Sequence, residues 1–227
     1  MGSLTWYGHS AFKIEYSGGS VIIDPFFSEA SGFSWKDVGP VDLVLLTHDH
    51  GDHVGSTVEI CRNYGAMLGT IVGTAQAMKD RGVPEKQILN GIGYNIGGTQ
   101  SWKGISALMT QAFHSSDSGA PTGFIITIPG MPVFYHAGDT GIFPGMKLLA
   151  EIYGIEIALL PVGGVFTMDA LQAAHACKLI GCRKVAPMHW GTFPVLAQNT
   201  QEFQRLLASV APACECLQMK MGEKYEL

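Results

Sequence analysis

The segment Thr47-His48-Asp49-His50-Gly51-Asp52-His53 constrains this chain more than any other. It crowds three histidines and two aspartates behind Asp42-Leu43-Val44-Leu45-Leu46, an apolar run of strand length. Burying a polar group without a partner costs roughly 2–7 kcal/mol, and an unpaired charge costs more. A strand that delivers this many polar side chains to one place therefore needs something to satisfy them. A cation held by His48, His50, Asp52 and His53 is the natural partner.

Bulk properties narrow the remaining choices. The 227 residues predict one domain spanning positions 1–227. With 47% hydrophobic and 15% charged residues and 29 glycines, the chain can bury a large core joined by tight turns. The formal net charge is −5, and no stretch concentrates Lys and Arg, so nucleic acid is not an expected partner. No apolar stretch approaches the roughly 18 residues that span a bilayer. The start of the chain lacks the basic and apolar regions of a secretory signal. A cytoplasmic protein without membrane attachment is expected. Cys61, Cys177, Cys182, Cys214 and Cys216 are odd in number and are read as reduced thiols. Cys214 and Cys216 would share a strand face, where a metal or redox role is conceivable, but no second Cys or His pair accompanies them.

Short β-rich runs come first, at 4–7, 11–16 and 20–24. A loop from Pro25 to Pro40 then carries Phe26, Phe27, Phe33 and Trp35, either as an apolar wall over a site or as packing. Helix patterns follow at 54–64, 74–81, 147–153, 169–180 and 201–210, the last with Asn199 and Glu202 placed as a capping box. Strand patterns fall at 67–72, 123–128, 132–136, 155–160 and 184–188, and glycines punctuate a predicted β-meander over 88–113. Strands first and mixed α and β later fit two packed sheets with helices outside.

Three of these strands end in further candidate ligands. His114 follows Leu108–Phe113, Asp139 follows Val133–Gly138, and His189 follows Val185–Met188. Polar residues that close strands converge at one sheet edge, where loops build sites. His136 lies inside a strand and is read as structural, and His175 shares a helix face with Gln172 and Lys178 and is read as solvated. Asp49, between two candidate ligands, should point elsewhere. Ser115, Ser116 and Asp117 open a Ser-rich loop toward the cluster, with donors to offer an oxyanion.

The H-x-H-x-D-H pattern after a hydrophobic strand, joined by Ala112-Phe113-His114, Gly138-Asp139 and Met188-His189-Trp190, resembles the metallo-β-lactamase superfamily. The resemblance implies an α+β fold, a four-layered αββα sandwich of two mainly antiparallel sheets flanked by helices. It implies two divalent metal ions, one held by His48, His50 and His114, the other by Asp52, His53 and His189, with Asp139 as bridge. Zinc is the first expectation, manganese or iron the next. The implied chemistry is attack by a metal-bound hydroxide, with Asp52 also orienting the nucleophile.

Two further segments, Gly8-His9-Ser10 and Pro161-Val162-Gly163-Gly164 running on to Asp169, resemble the branch of ascorbate-6-phosphate lactonase and its hydrolase relatives. That likeness places His9 near the metals, as substrate contact or proton donor, or in a local turn role. Asp169 would orient a ligating His from behind or start its helix. The expected substrate is a small ester, lactone or phosphoester, and a homo-oligomer is open. A nuclease or phosphodiesterase of the same superfamily is the alternative. A diiron oxidoreductase, which usually has Glu at the place of His50, and a non-catalytic metal-binding protein are further ones.

Overall fold

The structure, a computed structural model, describes residues 2–227. In chain order its strands are β1 (Ser3–Trp6), β2 (Phe12–Tyr16), β3 (Gly19–Ile23), β4 (Leu43–Leu45), β5 (Met67–Gly69), β6 (Thr99–Trp102), β7 (Ile105–Gln111), β8 (Thr122–Thr127), β9 (Phe134–His136), β10 (Ile157–Pro161), β11 (Lys184–Met188), β12 (Glu215–Cys216) and β13 (Lys224–Glu226). The α-helices are α1 (Gly51–Val54), α2 (Thr57–Tyr64), α3 (Val72–Asp80), α4 (Gly145–Tyr153), α5 (Ala170–Ile180) and α6 (Gln201–Val210).

Alternation along the central strands dictates the layers. Leu43 and Leu45 of β4 and Ile157 and Leu159 of β10 point into one core, shared by the two sheets. Val44 and Leu46 turn the other way, into a second core roofed by α2 and α3. Ala158 and Leu160 turn into a third, against α4, α5 and α6. Strands buried on both faces read as continuous apolar runs, which is why Leu43–Leu46 and Ile157–Leu160 show no polar alternation. The result is the expected α/β/β/α stack.

The first sheet has the order β13-β1-β2-β3-β4-β5 and the second β12-β11-β10-β9-β8-β7-β6. Both are mixed, with three antiparallel pairings in each. In the first, β3, β4 and β5 run parallel; in the second, β9, β10, β11 and β12 do. Parallel neighbours need crossovers, and α2, α4, α5 and α6 lie in those after β4, β9, β10 and β11.

Other expectations shift for local reasons. The helix expected over 54–64 is broken at Gly55, whose φ is +41°. A Cβ there would lie 2.3 Å from the Pro25 carbonyl oxygen, so the chain turns where the 25–26 backbone crosses it. The strand expected to reach Val72 ends at Gly69, and α3 begins at Val72. Of the predicted meander only the β6–β7 hairpin forms; residues 88–98 are mainly turns. Asn199 Oδ1 accepts from Gln201 N–H at 3.1 Å, but the boundary residue of α6 is Thr200, so the capping box does not form. The aromatic loop is mostly packing: Phe27, Phe33 and Trp35 lie against the α2–α3 core.

Leu45→Ala, on the shared inner face, is expected to lower unfolding free energy by about 2–5 kcal/mol in urea denaturation. Leu148→Ala, at a side chain 59% exposed on α4, should change it by less than about 0.5 kcal/mol. Equal effects would contradict the layer assignment.

Candidate metal centre

Strand ends of both sheets meet at one edge. There β4 delivers residues 47–53, β7 delivers His114, β9 delivers Asp139 and β11 delivers His189, while the β1–β2 turn adds His9. The H-x-H-x-D-H spacing follows from a change of backbone: His50 is extended (φ −64°, ψ 147°) and forms the boundary of α1, whose first turn carries Asp52 and His53.

Two ligand groups result. One ligand atom from each of His48, His50 and His114 lies within 4.8 Å of the others. The same holds for Asp52, His53, His189 and, in addition, His9. Asp139 lies between them, its Oδ2 3.0 Å from His189 Nε2, 3.3 Å from His53 Nε2 and 3.6 Å from His114 Nε2. All seven candidates of the expected two-metal set thus come together.

Asp24, not singled out in the sequence, organises much of this. Its wholly buried carboxylate accepts from Thr47 N–H (2.8 Å), Thr47 Oγ1 (2.7 Å) and His53 Nδ1 (2.7 Å). Thr47 Oγ1, donating to Asp24, in turn accepts from His48 Nδ1 at 2.9 Å. In both rings Nδ1 carries a proton, which leaves Nε2 as the atom that can face a cation. Asp24 ends an apolar strand, Val21-Ile22-Ile23, just as the other candidates do. That was the available signal.

His9 is 2% exposed and engaged on both sides. Its Nε2 is 3.2 Å from Asp52 Oδ2, its Nδ1 is 3.0 Å from Thr192 Oγ1, and its ring packs 4.1 Å from that of His189. Phe26, alone of the aromatic loop, meets this ring edge-on at 5.6 Å. His9, Asp24 and His189 all have left-handed backbone (φ 48°, 45° and 57°), a strain of about 1–3 kcal/mol each that the surroundings must hold in place. Gly163 makes room for one of them: a Cβ there would sit 2.0 Å from the His189 carbonyl oxygen.

Other candidates fall outside the cluster. Asp169 is the N-cap of α5 and accepts from Gln172 N–H at 2.8 Å; among the described residues it bonds no histidine, which removes the positioning role. Asp49 turns away, as expected, and pins the Ser-rich loop by accepting from Ser116 Oγ (2.8 Å), Asp117 N–H (2.8 Å) and Ser118 Oγ. Ser115 takes no part in that network. His136 is fully buried and spans Ser10 O and Gly138 N–H, and His175 is exposed.

The electrostatics suit cation binding. Burial pushes His48 down to about 3 and His9 to about 4, and lowers His114, so these imidazoles stay neutral and available as ligands. Burial alone would also depress His53, but the Asp139 and Asp24 carboxylates outweigh it and hold its pKa well above the usual value. For Asp139 burial opposes ionisation, and His53 and His189 overcome that, keeping it a carboxylate. His53 Nε2 and Asp139 Oδ1 are buried yet have no hydrogen-bond partner among the described residues. Orphaned atoms between the two ligand groups fit a metal ion, which on binding would displace the proton that His53 otherwise carries.

The comparisons agree with this class of site. Residues 3–189 match the family described as Beta-lactamase superfamily domain. The UPF0173 metal-dependent hydrolase of Nitratidesulfovibrio vulgaris strain DP4 is 53% identical over 226 residues, covering 99% of this chain and 95% of that protein. That of Lawsonia intracellularis is 47% identical, covering 99% of each. The solved structure of Igni18, described as a novel metallo hydrolase from the archaeon Ignicoccus hospitalis, is 38% identical over the whole of both chains, with a TM-score of 0.89. The chain belongs to the UPF0173 metal-dependent hydrolases, within the β-lactamase superfamily.

Asp24→Asn is expected to weaken metal binding about 10–100-fold, because it loses the charge that orients His53 and, through Thr47, His48. Competition against a chromophoric chelator measures this. Unchanged affinity would remove Asp24 from the centre.

Proposed function

We propose that the chain hydrolyses a small, uncharged ester or lactone at a two-metal centre. The observation that carries this reading is the position of Asp139 Oδ2 between the two ligand groups. His48, His50 and His114 would hold one divalent ion, and Asp52, His53 and His189 the other. Three imidazoles on one side and a mixed His and carboxylate set on the other suit zinc first, then manganese or iron. Bound there, such ions acidify a water molecule and polarise the electrophile.

The chain's own groups do the rest. Asp52 is half-buried, and its carboxylate is held well below the usual range; burial opposes this, and His9 and His53 outweigh it. It stays ionised and can accept and orient the proton of a nucleophilic water. His9, bonded to Asp52 and shielded from solvent, is a positioning residue for that carboxylate.

The surroundings speak to substrate class. Loops 8–11, 24–27, 47–55, 113–122, 137–143, 162–169 and 189–200 contain neither Lys nor Arg. They expose Phe113 (62%), Phe166 (57%) and Val195 instead. Beyond the ions, the extra charge of a phosphate monoester would find no Lys or Arg to pair with; an uncharged acyl group with apolar substituents needs none. This supports ester or lactone over phosphoester, and disfavours the nuclease reading.

Asp139→Ala is expected to lower metal content and to cut kcat/KM for lactone or aryl-ester hydrolysis by at least about 100-fold, with the fold retained by circular dichroism. Chelation should abolish activity and divalent metal restore it. Lactone and ester turnover should exceed phosphodiester turnover across a matched panel. A metal-free protein with full esterase activity, or an Asp139→Ala variant unchanged in both respects, would overturn the reading.

A further inference from the structure

A second cluster of soft ligands lies at the opposite end of the second sheet. Cys177 sits in the last turn of α5, Cys182 follows the Gly181 turn that ends that helix, and Cys214 precedes β12. The backbone draws them together. Gly181 N–H bonds Cys177 O at 2.8 Å, turning the chain so that residue 182 comes back toward the helix. Glu215 N–H bonds Arg183 O at 2.9 Å and β12 pairs with β11, which lays residue 214 beside residue 182. The three Sγ atoms all lie within 4.8 Å of one another, and those of Cys182 and Cys214 are 3.6 Å apart.

The geometry points to a metal site formed by Cys177, Cys182 and Cys214 that takes a thiophilic d10 cation, Zn(II) or Cu(I). Zinc–thiolate bonds of about 2.3 Å set tetrahedral sulfur–sulfur edges near 3.8 Å, so the closest pair already has the spacing of two ligands on one ion. A contraction of about 1 Å, within reach of side-chain rotation, seats the third. Cys177 and Cys182 are buried, and the half-buried Cys214 opens a path for the ion and a fourth position for water. Packing alone accounts for one buried cysteine as a small hydrophobe, but not for three sulfurs converging at the edge of a core. A disulfide uses two sulfurs, needs an approach to about 2.05 Å, and leaves the third without a role. Both sites suit Zn(II), but thiolates also select soft ions, so Cu(I) would favour the cysteine site and manganese or iron the His/Asp centre. The two are separate: Cys182 and His189 flank β11 and are seven residue steps apart, about 23 Å at roughly 3.3 Å per strand residue. A bound ion would staple the end of α5 to the chain that closes the second sheet.

Titration of reduced full-length protein with Co(II) tests this. The His/Asp centre has no sulfur ligand, so a thiolate-to-cobalt charge-transfer band in the near ultraviolet reports the cysteine site alone. The band is expected in the wild type and in His48→Ala, and is expected to be lost in Cys214→Ser together with one equivalent of metal. Zn(II) and Cu(I) are then added in separate arms, and displacement of cobalt by either identifies the preferred ion. Maleimide labelling of Cys214 in the wild type needs no variant and should slow at least about tenfold when metal is added. Absence of the band with unchanged labelling would overturn the site. So would cobalt that neither ion displaces, or a Cys182–Cys214 disulfide in air from reduced protein that takes up no thiolate-bound metal.

Discussion

One buried carboxylate joins the fold to the site. Asp24 has no exposure to solvent, yet it is held ionised by His53 against the cost of burial. Its three hydrogen bonds reach the end of β4 and the first turn of α1, so the end of β3, the His motif and the tautomers of two candidate ligands depend on a single group. Removing one partner of such a buried pair is strongly destabilising, of order 3–5 kcal/mol, because it strands the other. The two sheets bring the candidate ligands to one edge, and Asp24 determines which nitrogen each of two imidazoles presents.

The same logic extends outward. His9 steadies Asp52, Thr192 steadies His9, and Asp49 fastens the loop that follows His114. The strained backbone at His9, Asp24 and His189 shows the cost of this convergence. It is tolerated because the layers beneath are packed on both faces and leave the strand ends little freedom. The loops around the site carry exposed apolar side chains and neither Lys nor Arg.

Much of this was legible in the chain. Polar residues at the ends of apolar strands, at His48–His53, His114, Asp139 and His189, marked candidate ligands, and the family resemblance supplied the four-layer order and the grouping of those candidates into two sets. Asp24 obeys the same pattern, but a lone aspartate before Pro25 also reads as an ordinary turn, and only its partners distinguish the two. Asp169 carried two readings, and the fold chose the helix one: an acidic residue before a helix serves as an N-cap as readily as it supports a ligand from behind, and local hydrogen bonding decided it. The mixed direction of the sheets and strand β13 depend on pairing between distant segments, which local periodicity does not encode. Lys224-Tyr225-Glu226 is a short edge whose partner, β1, lies at the other end of the chain. The cysteine cluster was hidden too, since the sequence pairs Cys214 with Cys216 while the fold pairs it with Cys182.

The central claim is that Asp139 stands between two ions, each with its own protein ligands. Anomalous diffraction from crystals of the purified protein, collected on both sides of the absorption edge of the metal it carries, tests this most directly. Two anomalous peaks are expected to flank Asp139, one beside His48, His50 and His114, the other beside Asp52, His53 and His189. A single peak held by all seven side chains, or none at full metal supplementation, would contradict it.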